Sequence, residues 1–164
     1  MIVTIVTAVC LCVVEFVIIL LVSPMAKPSM ILGFLPEDIR EKAKNHPEPP
    51  KYKQVIAYIL FIIFIASFIG AIVFLGIDGL KKDYDYWRLA GRFLLVLYIN
   101  KAFDIIVQDQ WLVMSTDYFK KIFPETADCD GWHDRGFNNK NQLKRILGYP
   151  FMCLITAGIF MLFK

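Results

Sequence analysis

Apolar residues fall along this chain in long unbroken blocks instead of alternating with polar ones. Residues 2–23 (IVTIVTAVCLCVVEFVIILLVS) and 55–77 (VIAYILFIIFIASFIGAIVFLGI) each reach the roughly 20 residues that cross about 30 Å of hydrocarbon at about 1.5 Å per residue. Each stops at polar or helix-breaking residues, Ser23-Pro24 and Asp78-Gly79. Residues 146–163 (ILGYPFMCLITAGIFMLF) carry no charge, and Pro150 falls in the first turn, where a missing N–H does no harm. A fourth block, about 89–113, is mixed: it contains YINKAFDIIVQDQWL. The pattern predicts an all-α, integral membrane four-helix bundle. Residues 1–164 form a single polytopic domain with spans at about 2–23, 55–77, 89–113 and 146–163.

Composition agrees with the pattern. The chain is 57% hydrophobic, above the roughly 45–50% of soluble domains, and its mean hydropathy is +0.55. No Lys or Arg precedes the first block and Glu15 interrupts it, so it is expected to stay as a permanent helix and not be removed as a signal. Cys10, Cys12 and Cys153 fall inside predicted spans and Cys129 in a loop. No disulfide framework is implied, because a thiol within a span behaves as a small hydrophobe.

Charge sets the expected orientation. Lys27, Arg40, Lys42, Lys44, Lys51 and Lys53 lie between the first two spans, and Lys120, Lys121, Arg135, Lys140, Lys144 and Arg145 between the last two. With four crossings both groups share one face, which the positive-inside rule makes cytoplasmic. The N- and C-termini are then non-cytoplasmic. With three crossings the rich loops fall on opposite faces, so the charges themselves favour a mixed segment that crosses.

Within the first loop, FLPEDIREKAKNHPEPP predicts a short helix over about 36–46. Pro36 opens it, Glu37 and Asp38 suit its positive end, and Pro47 halts it. The preceding Met30, Ile31, Leu32, Phe34 and Leu35 are expected to dip into the headgroup region as an interfacial anchor. Tyr84, Tyr86 and Trp87 fit an aromatic belt on the other face. In the second long loop, the third helix is expected to continue to about Ile122. Asp128, Cys129, Asp130, His133 and Asp134 match the spacing of neither a zinc module nor a calcium loop, so no metal site is assigned. No phosphate-binding glycine loop or nucleophile elbow is present, and the cations flank spans without forming a basic face for nucleic acid.

The mixed segment carries the candidate chemistry. At about 100° per residue, Asn100, Lys101, Asp104 and Gln108 fall in an arc of about 100° that also holds Trp111, while Asp109 points elsewhere. Glu15 lies about 20 Å along the first span and Asp104 about 22 Å along the parallel third one, so Glu15, Lys101 and Asp104 can cluster. Tyr58 and Tyr149 enter from the cytoplasmic end. Ionised groups in hydrocarbon cost roughly 2.5–3.5 kcal/mol each on insertion scales, and Lys101 and Asp104 are spaced to pair. One reading makes the stripe helix–helix glue. The other makes it the wall of a cytoplasmically open pocket for a small amphipathic molecule, in a membrane-embedded enzyme that moves a proton on a carboxylate. There Glu15 and Asp104 are the catalytic, proton-handling groups, and Lys101, Asn100, Gln108, Tyr58 and Tyr149 bind ligand. Ion- or proton-coupled transport and an assembly or adaptor role are the rival functions. The implied partners are the lipid bilayer, an amphipathic small molecule, and either a homo-oligomer or another membrane protein. Nothing in the sequence names a cofactor.

In size, span number and long first loop the chain resembles in outline the trimeric membrane-associated eicosanoid and glutathione enzymes. Their Arg-and-Asn pair has no counterpart in the second span, KYKQVIAYILFI, and no residue is carried over. The His and Glu constellation of emopamil-binding-type sterol isomerases is also missing, since His46 and His133 fall in predicted loops.

Overall fold

Block hydrophobicity becomes helix throughout. In the computed structural model, which describes all 164 residues, every regular element is helical. Three helices are long and apolar enough to cross a membrane: α1 (Ile2–Val22), α4 (Lys51–Lys81) and α7 (Asn139–Met161). α4 starts after Pro50 and is followed by Asp83, which takes a left-handed φ of 55° to turn the chain, a conformation Asp tolerates. Asp85 then caps α5 (Tyr86–Phe103) by accepting from the Arg88 N–H at 2.8 Å.

α5 packs against α1 and α7, and α1 also against α4. The core between them holds Ala8, Leu11, Leu75, Leu89, Phe93, Val96, Cys153 and Ala157. Small residues let the backbones approach closely. Gly76 leaves room for the Phe160 ring of α7, since an added Cβ would lie 2.2 Å from that ring. The outward faces stay apolar, with Val6, Val13, Ile62, Ile69, Phe151 and Ile155 all exposed. A surface this greasy needs lipid or protein against it.

At one end a cap closes over the helices. It comprises α2 (Pro28–Leu32), α3 (Glu37–Lys42), α6 (Tyr118–Ile122) and two single turns of 3₁₀ helix, Pro124–Thr126 and Asp130–His133. Leu32, Leu35, Ile39, Phe119, Phe123 and Trp132 form its buried centre. Asp38 accepts from the Gly131 N–H at 2.7 Å, the Trp132 indole donates to the Thr126 carbonyl at 2.7 Å, and Lys42 pairs with Asp128. That hydrogen bond from Lys42 holds the Asp128 carboxyl below the usual carboxylate range.

Four expectations change here, the first being that α7 begins at Asn139, so Pro150 lies inside the helix and not in its first turn. Ile31, Leu32 and Leu35 are buried inside the molecule, leaving only Phe34 of that run strongly exposed, because the two long loops cover each other's apolar residues. The helix expected over 36–46 stops at Lys42. The third helix does not run on to Ile122: it ends at Val113, and α6 restarts at Tyr118, with the Tyr118 hydroxyl donating to the Leu20 carbonyl at 2.6 Å. Gly131 is the tightest point of the cap, as an added Cβ would lie 2.1 Å from Asp38 Oδ1 and 2.8 Å from Pro36 Cβ. Gly131→Ala is expected to lose about 1–3 kcal/mol by overpacking. Limited proteolysis should then cut first between 114 and 138, and an unchanged cleavage pattern would contradict the packing described.

Candidate functional site

After Phe103 the helix changes its winding. Residues Asp104–Val113 form a π-helix, with the Met114 N–H bonded to the Asp109 carbonyl five residues back. Its i to i+5 bonding winds the chain more slowly than an α-helix, about 4.4 residues per turn or roughly 82° each. The changed angle redistributes the side chains. Gln108 stays on the stripe, Asp109 swings onto it, and Trp111 leaves it to sit half-exposed, its ring centroid 6.1 Å from that of Phe16. The α-helical expectation for Asp109 and Trp111 is therefore reversed.

The stripe lines a cavity of about 300 Å³ beneath the cap. Its apolar wall includes Ile18, Ile19 and Val22 of α1, Met30 of α2, and Phe61 and Phe64 of α4. Its polar wall carries Glu15, Asn100, Lys101, Asp104, Gln108, Asp109, Asn138 and Tyr149, with Arg145 also in the lining. A second, polar groove of about 580 Å³ shares Phe34, Leu35, Asn138 and Arg145 with this cavity. The two spaces thus adjoin on the cap side.

Hydrogen bonding divides the polar wall into three groups and one remainder. Lys101, only 5% exposed, forms an ion pair with Asp104 one turn on. Asn100 Nδ2 donates to Glu15 Oε2 at 2.9 Å, joining α5 to α1. Asp109 accepts from Gln142 Nε2 at 2.5 Å and from Asn138 Nδ2 at 3.2 Å, joining the π segment to the start of α7. Gln108 is 5% exposed and directs its amide at the Glu15 carboxylate, close enough to act on it as a hydrogen-bond donor, although its Nε2 falls short of full hydrogen-bond geometry. A buried amide donor held short of good geometry is incompletely satisfied.

Six of the seven residues picked out from the sequence therefore meet here: Glu15, Asn100, Lys101, Asp104, Gln108 and Tyr149. Tyr58 does not join them; it is 41% exposed on α4 and outside the cavity lining. Sequence reasoning passed over Asp109, Asn138 and Gln142. The only signal was the pair of amides four apart at the head of α7, which places both on one helix face. It also passed over Arg92 at the far end of the bundle. Arg92 is buried and donates to Thr4 Oγ1 at 2.8 Å, the Leu75 carbonyl at 2.9 Å and Asp78 Oδ2 at 2.6 Å. Its guanidinium lies 5.5 Å from the Tyr84 ring centroid. No three His, Cys, Asp or Glu side chains come together in a metal-binding group. Comparison with protein-family models, with curated proteins and with solved structures gave no match.

Proposed function

We propose that the chain is a four-span membrane protein, a single polytopic domain over 1–164, whose cavity beneath the cap binds a small amphipathic molecule. α5 and its π extension form the fourth crossing, in chain order the third. They cross with their polar stripe turned inward, where ionisable groups in a membrane belong. The cation-rich loops, and with them the cap, face the cytoplasm. The observation that carries the reading is a cavity with one apolar and one polar wall, where the Nε2 of Gln108 is only loosely met by Glu15. Concave sites that bind small molecules combine those features.

In this reading the apolar wall takes the tail of the ligand and the stripe takes its head. Lys101 is the counter-ion of Asp104, while Asn100, Gln108 and Tyr149 orient the head by hydrogen bonds. Glu15 and Asp104 are the groups able to hold or release a proton next to it, which is the chemistry of a membrane-embedded enzyme. The adjoining groove supports entry from the cap side. The test is an experimental map of the protein purified from its own membranes into nanodiscs. Elongated density running from Phe61 and Phe64 toward Gln108 is expected, and it should disappear in Leu112→Trp, which fills the cavity from the π segment. A cavity that is empty or collapsed in the native chain would overturn the proposal.

A further inference from the structure

We infer that the molecule taken up by this cavity is a single-chain amphiphile with a cationic amino-alcohol head, a protonated amine beside a hydroxyl. The inference rests on the reading that the cavity binds an amphiphile, and adds the chemical class. Charges on the polar wall are not balanced. Lys101 is committed to Asp104. Glu15 and Asp109 are held by neutral amides, Glu15 by Asn100 and Asp109 by Asn138 and Gln142. Arg145 takes part in no ion pair and lies exposed where the cavity meets the groove, so it faces water more than it faces these acids. Two carboxylates with no ion-pair partner of their own, beside an amide donor that meets Glu15 only in poor geometry, form a complementary template. An ammonium group supplies the charge, and a neighbouring hydroxyl oxygen accepts from Gln108 Nε2.

The remaining surface narrows the class further. At about 300 Å³ the cavity is at the small end of ligand sites, which suits one alkyl chain between Ile18, Val22, Phe61 and Phe64. A fatty acid brings a third uncompensated negative charge to Glu15 and Asp109, and like charges at close range disfavour binding. A fatty alcohol satisfies Gln108 and leaves both acids unmatched.

Isothermal titration of the full chain in nanodiscs distinguishes these heads, using three probes of equal tail length: a vicinal aminododecanol, the matching vicinal dodecanediol and the matching hydroxy acid. The amino alcohol is expected to bind at least about tenfold tighter than the diol, the ratio that one charge-assisted hydrogen bond provides, with the hydroxy acid weakest. Glu15→Gln and Asp109→Asn should each remove about that factor for the amino alcohol and leave the diol unchanged. Gln108→Leu should weaken amino alcohol and diol alike. If Glu15→Gln does not fold, Asp109→Asn carries the comparison. A diol or hydroxy acid that binds as tightly as the amino alcohol overturns the head-group assignment while the pocket stands. Binding of none of the three to folded protein removes the pocket reading as well.

Discussion

Arg92→Met is expected to lose about 3–5 kcal/mol of stability, the range seen when one partner of a buried charge network is removed. The guanidinium joins three elements at once: Thr4 of α1, and the Leu75 carbonyl and Asp78 carboxylate of α4, all from its seat on α5. Methionine fills part of the volume but returns none of the donors, so a hydroxyl and a carbonyl in a dry environment lose their partner. Asp78→Asn should do less, about 1–2 kcal/mol. Asp78 is partly open to solvent, and Arg92 keeps its bonds to Thr4 and Leu75. Reversible unfolding in detergent, followed by circular dichroism, separates the two variants. Equal losses would show that the Asp78 contact dominates, and a loss within about 0.5 kcal/mol of wild type would remove Arg92 from the framework.

The helical framework was legible because blocks of Ile, Val, Leu and Phe leave no alternative to helices that expose apolar surface. α1 ends within one residue of its expected limit and α4 outruns its apolar block by about a turn at each end. Less visible was the cap. Ile31, Leu32 and Leu35 read as membrane anchors on their own, and only the second long loop, with Phe119, Phe123 and Trp132, gives them a core to enter. That pairing spans about 90 residues of sequence, and no local pattern encodes it. Arg92 was passed over for a related reason. A single Arg near the end of a mixed segment looks solvated until the start of α1 and the end of α4 are brought beside it.

The site was legible up to the point where the helix changes pitch. Asn100, Lys101 and Asp104 precede or begin the π segment, so their positions follow from ordinary helical winding. Beyond Asp104 each residue falls short of its α-helical angle by roughly 18°, and the deficit accumulates. By Gln108 the side chain still faces inward. By Asp109 the displacement is enough to bring a carboxylate onto the stripe, and by Trp111 enough to carry an aromatic ring off it. The sequence gives no direct sign of this winding. What sustains it is tertiary: Asp109 is drawn toward Asn138 and Gln142 of α7, while Leu112 and Val113 are buried within the shared core with α1 and the cap.

The Lys101–Asp104 pair separates a binding site from helix glue, because its single and double replacements are expected to behave differently. Asp104→Asn leaves Lys101, 5% exposed, as a buried cation without its partner, and a loss of about 3–5 kcal/mol is expected. Lys101→Met leaves Asp104, which borders the cavity and is more exposed, so water can reach it and a smaller loss of about 1–3 kcal/mol follows. Replacing both, Lys101→Met with Asp104→Leu, should restore stability to near wild type, since a buried ion pair exchanged for packed apolar groups is often neutral or stabilising. Glue predicts that the double variant keeps every property of the protein. The proposed site predicts a folded, stable protein that binds its amphiphile more weakly, because the polar wall next to Gln108 and Asn100 has become apolar. Unfolding in detergent and titration in nanodiscs on the same three variants give both readouts. A double variant that is stable and binds normally would assign the pair to packing alone.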